Sequence, residues 1–165
     1  MAVVAGIPVE EYLHSNFPAP DREYRDGTIV GRSMPDYLHG KTQALLIALF
    51  VVLRKRLRLF PCAETRMMLR PGRFSIPDVA VFHPNEPNLV PDTPPLIAIE
   101  ILSSDDRLTE VREKLEEYRS WGVPHVWLVD PHSRRLYSCE EGLREVPFFM
   151  VDELSLEVTA DQIFE

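Results

Sequence analysis

Apolar and polar positions alternate in blocks along the chain, and the blocks predict its elements. Val9 to His14 reads as a short helical piece, ended by Pro18 and Pro20. Glu23 to Val30 reads as a hairpin turning at Asp26-Gly27. Asp36 caps a long helix from Tyr37 to Leu57, whose middle, Ala44 to Leu53, is apolar on every side. Such a helix needs cover on more than one side, from this domain or from a second copy. Cys62 to Leu69 and Phe74 to Phe82 predict two strands joined at Arg70-Pro-Gly-Arg73. Five prolines between residues 83 and 95 then mark a loop, and Leu96 to Leu102 has the unbroken apolar character of a central strand. The spacing of Leu108, Val111, Leu115 and Tyr118 predicts a helix from Leu108 to Trp121 with one apolar stripe, started by Ser103, Ser104 or the Asp105-Asp106 pair and stopped by Gly122. Lys114 lies at the margin of that stripe. Val123 to Asp130 is a buried strand, Leu136 to Glu140 its antiparallel partner, and a strand near Leu143 to Phe148 follows. Residues 149–165 are weakly patterned, with a final short helix near Ala160 to Phe164.

This order predicts an α/β (α+β) fold, a mixed central sheet flanked by helices with an added C-terminal hairpin. Strand Leu96 to Leu102, the helix and strand Val123 to Asp130 form one right-handed crossover. The 165 residues suit a single domain, with the core at about 20–140.

Composition narrows the function. The net charge is -8, with 26 acidic against 18 basic residues, so the chain has no general attraction to nucleic acid and any such partner needs a local basic patch. Arg54, Lys55, Arg56 and Arg58 cluster in the last turns of the long helix, where they also suit the negative end of its dipole. Two cysteines make no disulfide framework, and a reducing cytoplasm is the expected compartment. No apolar run approaches the ~20 residues that span a bilayer, and the N-terminus lacks the basic start of a signal peptide.

The candidate chemistry sits inside the two central apolar runs. Each carries one carboxylate, Asp78 in the first and Glu100 in the second. A buried acid needs a partner. A divalent metal is one; ordinary hydrogen bonds at strand ends are another. Glu100, between Ile99 and Ile101, is the harder to explain as a bystander. Neighbouring strands bring the two acids together, and the helix that packs over them brings Lys114. Two carboxylates and a lysine at one point suit metal-assisted phosphodiester hydrolysis: acids to hold the ion, lysine to orient water or stabilise developing charge. As a bystander, Lys114 would pair with Glu110 at i,i+4 on the helix surface. Glu64 and His39 are additional candidates, depending on strand register and on where the long helix starts. His83 and His125 read as structural, and Tyr118, Trp121 and Trp127 as core aromatics.

Pro77-Asp78, Glu100-Ile-Leu-Ser103, Lys114-Leu-Glu-Glu-Tyr118 and Gly122-Val-Pro-His-Val-Trp-Leu-Val-Asp-Pro131 together resemble the Uma-type family of bacterial restriction endonucleases, in the PD-(D/E)XK nuclease superfamily. The resemblance covers about residues 20–140. It implies an αβββαβ core, DNA as substrate and a magnesium or manganese cofactor, with Asp78 and Glu100 as metal ligands and Lys114 as the third catalytic residue. It also implies a histidine near the start of the long helix, which is His39. Leu102 stands where the superfamily pattern places its lysine, so the resemblance assigns that role to Lys114 on the helix. Ser104 stands where a proline is common. Three readings follow: a metal-dependent endonuclease, working as a homodimer; a nuclease fold without catalysis, serving as a binding or regulatory module; and a hydrolase of smaller phosphoesters.

Overall fold

The computed structural model describes residues 4–17 and 21–165. The expected helix stop at Pro18 and Pro20 lies outside the described residues. In chain order the elements are β1 (Val4–Ala5), α1 (Val9–His14), β2 (Glu23–Arg25), β3 (Thr28–Val30), α2 (Tyr37–Leu57), β4 (Phe60–Ala63), β5 (Met67–Arg70), β6 (Arg73–Ser75), β7 (Val79–Phe82), β8 (Ile97–Ile101), α3 (Leu108–Trp121), β9 (His125–Asp130), β10 (Arg135–Ser138), β11 (Arg144–Val146), β12 (Phe148–Val151), a 3-10 turn (Asp152–Leu154), β13 (Leu156–Thr159) and α4 (Ala160–Phe164).

The central sheet has the order β11-β10-β9-β8-β7-β4. β8 and β9 run parallel, with Glu100 opposite Leu128, and the other pairs run antiparallel, so the sheet is mixed as expected. Helix α3 is the crossover between β8 and β9. Strand alternation sorts the side chains. Ile97, Ile99 and Ile101 join Val79, Val81 and Trp127 on the face covered by Leu46 and Phe50 of α2 and by Phe149, Val158 and Ile163. Trp127 and Phe149 stack there with centroids 4.1 Å apart. Ala98 joins Ala80, Val126 and Leu128 on the opposite face, under Leu115 and Tyr118 of α3. Glu100 has the parity of Ala98, so it points toward α3.

The two long strands expected at 62–69 and 74–82 are each broken. β4 and β7 pair in the central sheet, whereas β5 and β6 pair in a second sheet of order β1-β3-β2-β6-β5. The first break falls at Glu64, whose φ is 49°, and the second at Ile76 to Asp78, where Pro77 cannot donate to a ladder. The second sheet packs on Tyr12 of α1 through Tyr24, Ile29 and Phe74. A reading that stops at apolar runs cannot see the change of sheet in the second run, because it is buried throughout; in the first run the break coincides with exposed Ala63 and Glu64.

Caps follow the sequence with one exception. The Asp36 side chain accepts from His39 N at 2.9 Å, and Gly122 ends α3 in the left-handed region. The N-cap of α3, however, is Arg107, without a side-chain bond; Asp106 instead accepts from Ser103 N at 2.7 Å and shapes the loop before it. The weakly patterned tail forms the β12-β13 hairpin, held by Phe149, Val151 and Val158 against the core, and α4 lies where expected. Helix α2 buries His39, Thr42, Leu46 and Phe50, one stripe at helical spacing. Its other side is not covered by the described residues: Tyr37 is 79% exposed and Val52 81%.

Candidate active site

Asp78 occupies the bend just before β7, at the joint between the two sheets. Pro77 fixes the chain there, and Gln43 Nε2 and Glu64 N donate to the Asp78 carbonyl at 2.9 and 3.3 Å. Its carboxylate is buried and engaged on both oxygens. Oδ2 accepts from Ile101 N at 2.7 Å and meets His39 Nε2 at 3.2 Å; Oδ1 accepts from Arg32 Nη2 at 2.8 Å. The Ile101 bond ties Asp78 to the strand that carries Glu100.

Glu100 lies inside β8 and meets α3. It accepts from Tyr118 OH at 2.9 Å and from Lys114 Nζ at 3.0 Å. Lys114 also donates to Glu23 Oε1 and to the Ile76 carbonyl, each at 2.8 Å. Its three N–H bonds thus face three acceptors. Glu23, on β2, further accepts from Ser75 Oγ and Ile76 N, both at 3.1 Å, and Ser75 Oγ lies 3.0 Å from Tyr118 OH. A cavity of about 280 Å³ opens over this cluster, lined by Glu23, Arg32, His39, Asp78, Glu100 and Lys114 among others.

The structure therefore brings Asp78, Glu100, Lys114 and His39 together. The Glu64 carboxylate stays exposed and outside the cavity lining, and its one ion pair among the described residues is with Arg32, at 3.7 Å. Sequence reasoning missed Glu23 and Arg32, which arrive from the second sheet and the segment after it. Tyr118, expected in the core, is buried but turns its hydroxyl into the site. Its i+4 spacing from Lys114 was a usable signal. Among the basic residues, Arg73 is withdrawn from the surface: it is buried and bonded to Glu117 and the Phe74 carbonyl.

Three buried acids meet Arg32, Lys114 and His39, and the acids divide unequally. Burial would raise Glu23, but Lys114 and Arg73 overcome it and hold the group down at about 2. Burial likewise opposes Asp78, whose pKa is nevertheless lowered by the His39 bond and by Arg32. Glu100 goes the other way: burial, reinforced by Asp78 and Glu23, outweighs Lys114 and pushes it up to about 7. Burial works against charge on Lys114 and His39 too, yet their acidic neighbours raise both.

These shifts predict a pH dependence of folding. Unfolded Glu100 titrates near 4.5 and native Glu100 near 7, so between those values the native state holds more protons. Stability of the metal-free protein then falls as pH rises through that window, by about 3 kcal/mol from this group. His39 acts with the same sign: its raised native pKa gives stability that is full below 6.5 and lost above it. Urea melts at pH 5, 6.5 and 8 should show the decline, and Glu100→Gln should flatten most of it. Wild-type stability that rises between pH 5 and 8 would refute this assignment.

Two acids at one point, one of them reluctant to ionise alone, fit a divalent cation. Among the described residues no three His, Cys, Asp or Glu side chains are spaced as a cage for an ion. Magnesium does not need one, because it keeps several waters and takes one or two carboxylates. Asp78 and Glu100 are the pair that would hold it.

A mixed sheet between helices, with an acid before one strand, an acid inside the next and a lysine over both, defines the restriction-endonuclease-like class of nuclease folds. The chain belongs to the Uma2 family, described as "Putative restriction endonuclease", which it matches over residues 9–163. It is similar to a crystal structure of "a putative nuclease belonging to DUF820" from Anabaena variabilis, with a TM-score of 0.80 and 23% identity, over 96% of this chain and 97% of that one. That likeness shows the fold. No curated protein matches the chain.

Proposed function

We propose that this protein is a divalent-metal-dependent endonuclease that hydrolyses phosphodiester bonds in DNA, acting as a single domain in the cytoplasm. The observation that carries the reading is the convergence of Asp78, Glu100 and Lys114 on one cavity in a chain of this family. A bound magnesium or manganese ion would neutralise the phosphate and make a water more acidic. Asp78 and Glu100 would hold that ion, and the Ile101 N–H and Tyr118 hydroxyl keep the two carboxylates in place. Lys114 stays charged between Glu23 and Glu100, where it offsets their repulsion and places positive charge at the phosphate. His39, buried against Asp78, would exchange a proton beside that carboxylate. Among the described residues no helix is long and apolar enough to cross a membrane.

Calorimetric titration with manganese, followed by incubation with supercoiled plasmid, tests the reading. Binding near one ion per chain and conversion to nicked or linear DNA are expected. Absence of manganese binding would remove it, and would favour the second reading, a binding module of nuclease fold. One observation speaks for that alternative: Arg32, His39 and Lys114 already neutralise the acids.

DNA contact should be local. Arg25 and Arg107 line the cavity, and two or three phosphate contacts there give a slope of log affinity against log salt of about -2 to -3. Affinity that stays flat between 50 and 200 mM salt contradicts it. We also propose a homodimer through the uncovered side of α2, since Tyr37, Val51 and Val52 are apolar and exposed. Light scattering at micromolar concentration should give twice the 19.0 kDa chain mass, and a monomer refutes it.

A further inference from the structure

Asp78 offers only one oxygen to anything that enters the cavity. Oδ2 is committed to the Ile101 N–H and His39; Oδ1 is held by Arg32 alone, at 2.8 Å. The Arg32 side chain is only 11% exposed; its two acidic contacts are Asp78 and, more distant, Glu64 Oε1 at 3.7 Å from Nη1, with Glu23 and Glu100 acting on it from further away. Its Nη1 is buried and donates to no acceptor. A guanidinium with one nitrogen bonded to Asp78 and the other left with only a long ion pair to Glu64 is half used, because its fork is built for two parallel bonds.

We infer that Arg32 is a two-position residue: it holds Asp78 Oδ1 in the metal-free protein and transfers to a non-bridging oxygen of the scissile phosphate when a divalent ion takes that oxygen. This rests on the metal-dependent reading above. The reasoning is electrostatic. Two full positive charges sharing one carboxylate oxygen repel strongly in a site screened from water, so the two occupants exclude each other. The displaced guanidinium remains in the cavity, where a phosphate brings the acceptors that Nη1 lacks. Arg32 would thus be catalytic through contact with the phosphate, and a competitor of the metal before that. The exchange also accounts for a site whose acids are fully neutralised without an ion.

The test compares wild type with Arg32→Met, which keeps length without charge. Manganese affinity by calorimetry at pH 7.5 should rise at least about tenfold in the variant, because no cation has to leave Asp78. Cleavage at saturating manganese should fall by about 10²–10³-fold, the usual loss when one donor to a transition-state oxyanion is removed. Should Arg32→Met not fold, Arg32→Gln, with a neutral donor for Oδ1, carries the same two expectations. Wild type that binds manganese while the variants bind it no more tightly overturns the exchange and leaves the nuclease reading standing. Tighter binding with undiminished cleavage overturns the phosphate contact. Wild type that binds no manganese overturns both the nuclease reading and this one.

Discussion

Asp78→Asn and Glu100→Gln each abolish measurable manganese binding and lower DNA cleavage by more than about 10²-fold. The two acids are the pair that would hold the ion, and neither has a substitute. Glu23 is the nearest alternative, but Lys114, Ser75 and Ile76 N occupy it. The losses in binding and cleavage must appear together. Glu100→Gln should also leave the metal-free fold intact, since the amide oxygen still accepts from Tyr118 and a buried negative charge is removed. A Glu100→Gln protein that cuts DNA normally per folded molecule would show that the acid is structural, and the nuclease assignment would fail at its centre.

Lys114→Ala destabilises the metal-free protein by about 3–5 kcal/mol, the cost of breaking a buried ion pair from one side. Two carboxylates, Glu23 and Glu100, lose their shared cation at once, and the Ile76 carbonyl loses its donor. A solvated i,i+4 lysine would cost only about 0.3–0.5 kcal/mol, so the two roles are far apart on the same measurement. Urea denaturation reads the difference as a lower midpoint at unchanged slope. Adding Glu23→Gln to Lys114→Ala should return part of the loss, because one stranded charge is gone. A midpoint near wild type would place Lys114 on the surface and out of the site. For the fraction that stays folded, cleavage should fall about 10²-fold or more while manganese still binds.

Asp78, Glu100 and Lys114 were legible in the sequence because each interrupts a pattern. An acid inside an apolar strand, or a lysine beside an apolar stripe, is costly unless it meets a partner. Helices α2 and α3 and the β8-α3-β9 crossover were legible for other local reasons: α2 is long and capped by Asp36, and α3 carries one apolar stripe ended by Gly122. Glu23 and Arg32 were not. Their neighbours in sequence form an ordinary hairpin and a connecting segment, and nothing local says that this hairpin belongs to a second sheet folded against the first. The break at Ile76 to Asp78 was equally hidden, since buried residues continue through it. The β12-β13 hairpin escaped because its strands are four residues each and β12, Phe-Phe-Met-Val, is apolar on both faces, so its alternate burial is not written in the sequence.

Lys114 reaches Glu100 across a loop and two turns of helix, where the superfamily pattern would use a neighbour two places along the strand. Position along a helix is also angle, about 100° for each residue at 3.6 residues per turn. The spacing between acid and lysine is therefore elastic in one stretch and rigid in the next. One residue added among Ser104 to Arg107 can be taken up by the loop, and the ammonium still arrives. The same residue added between Leu108 and Lys114 swings the lysine about a quarter-turn off the sheet, exposes the stripe that includes Leu115 and Tyr118, and leaves Glu100 alone. Across relatives of this chain, length changes between acid and lysine should accumulate before Leu108 and be nearly absent after it.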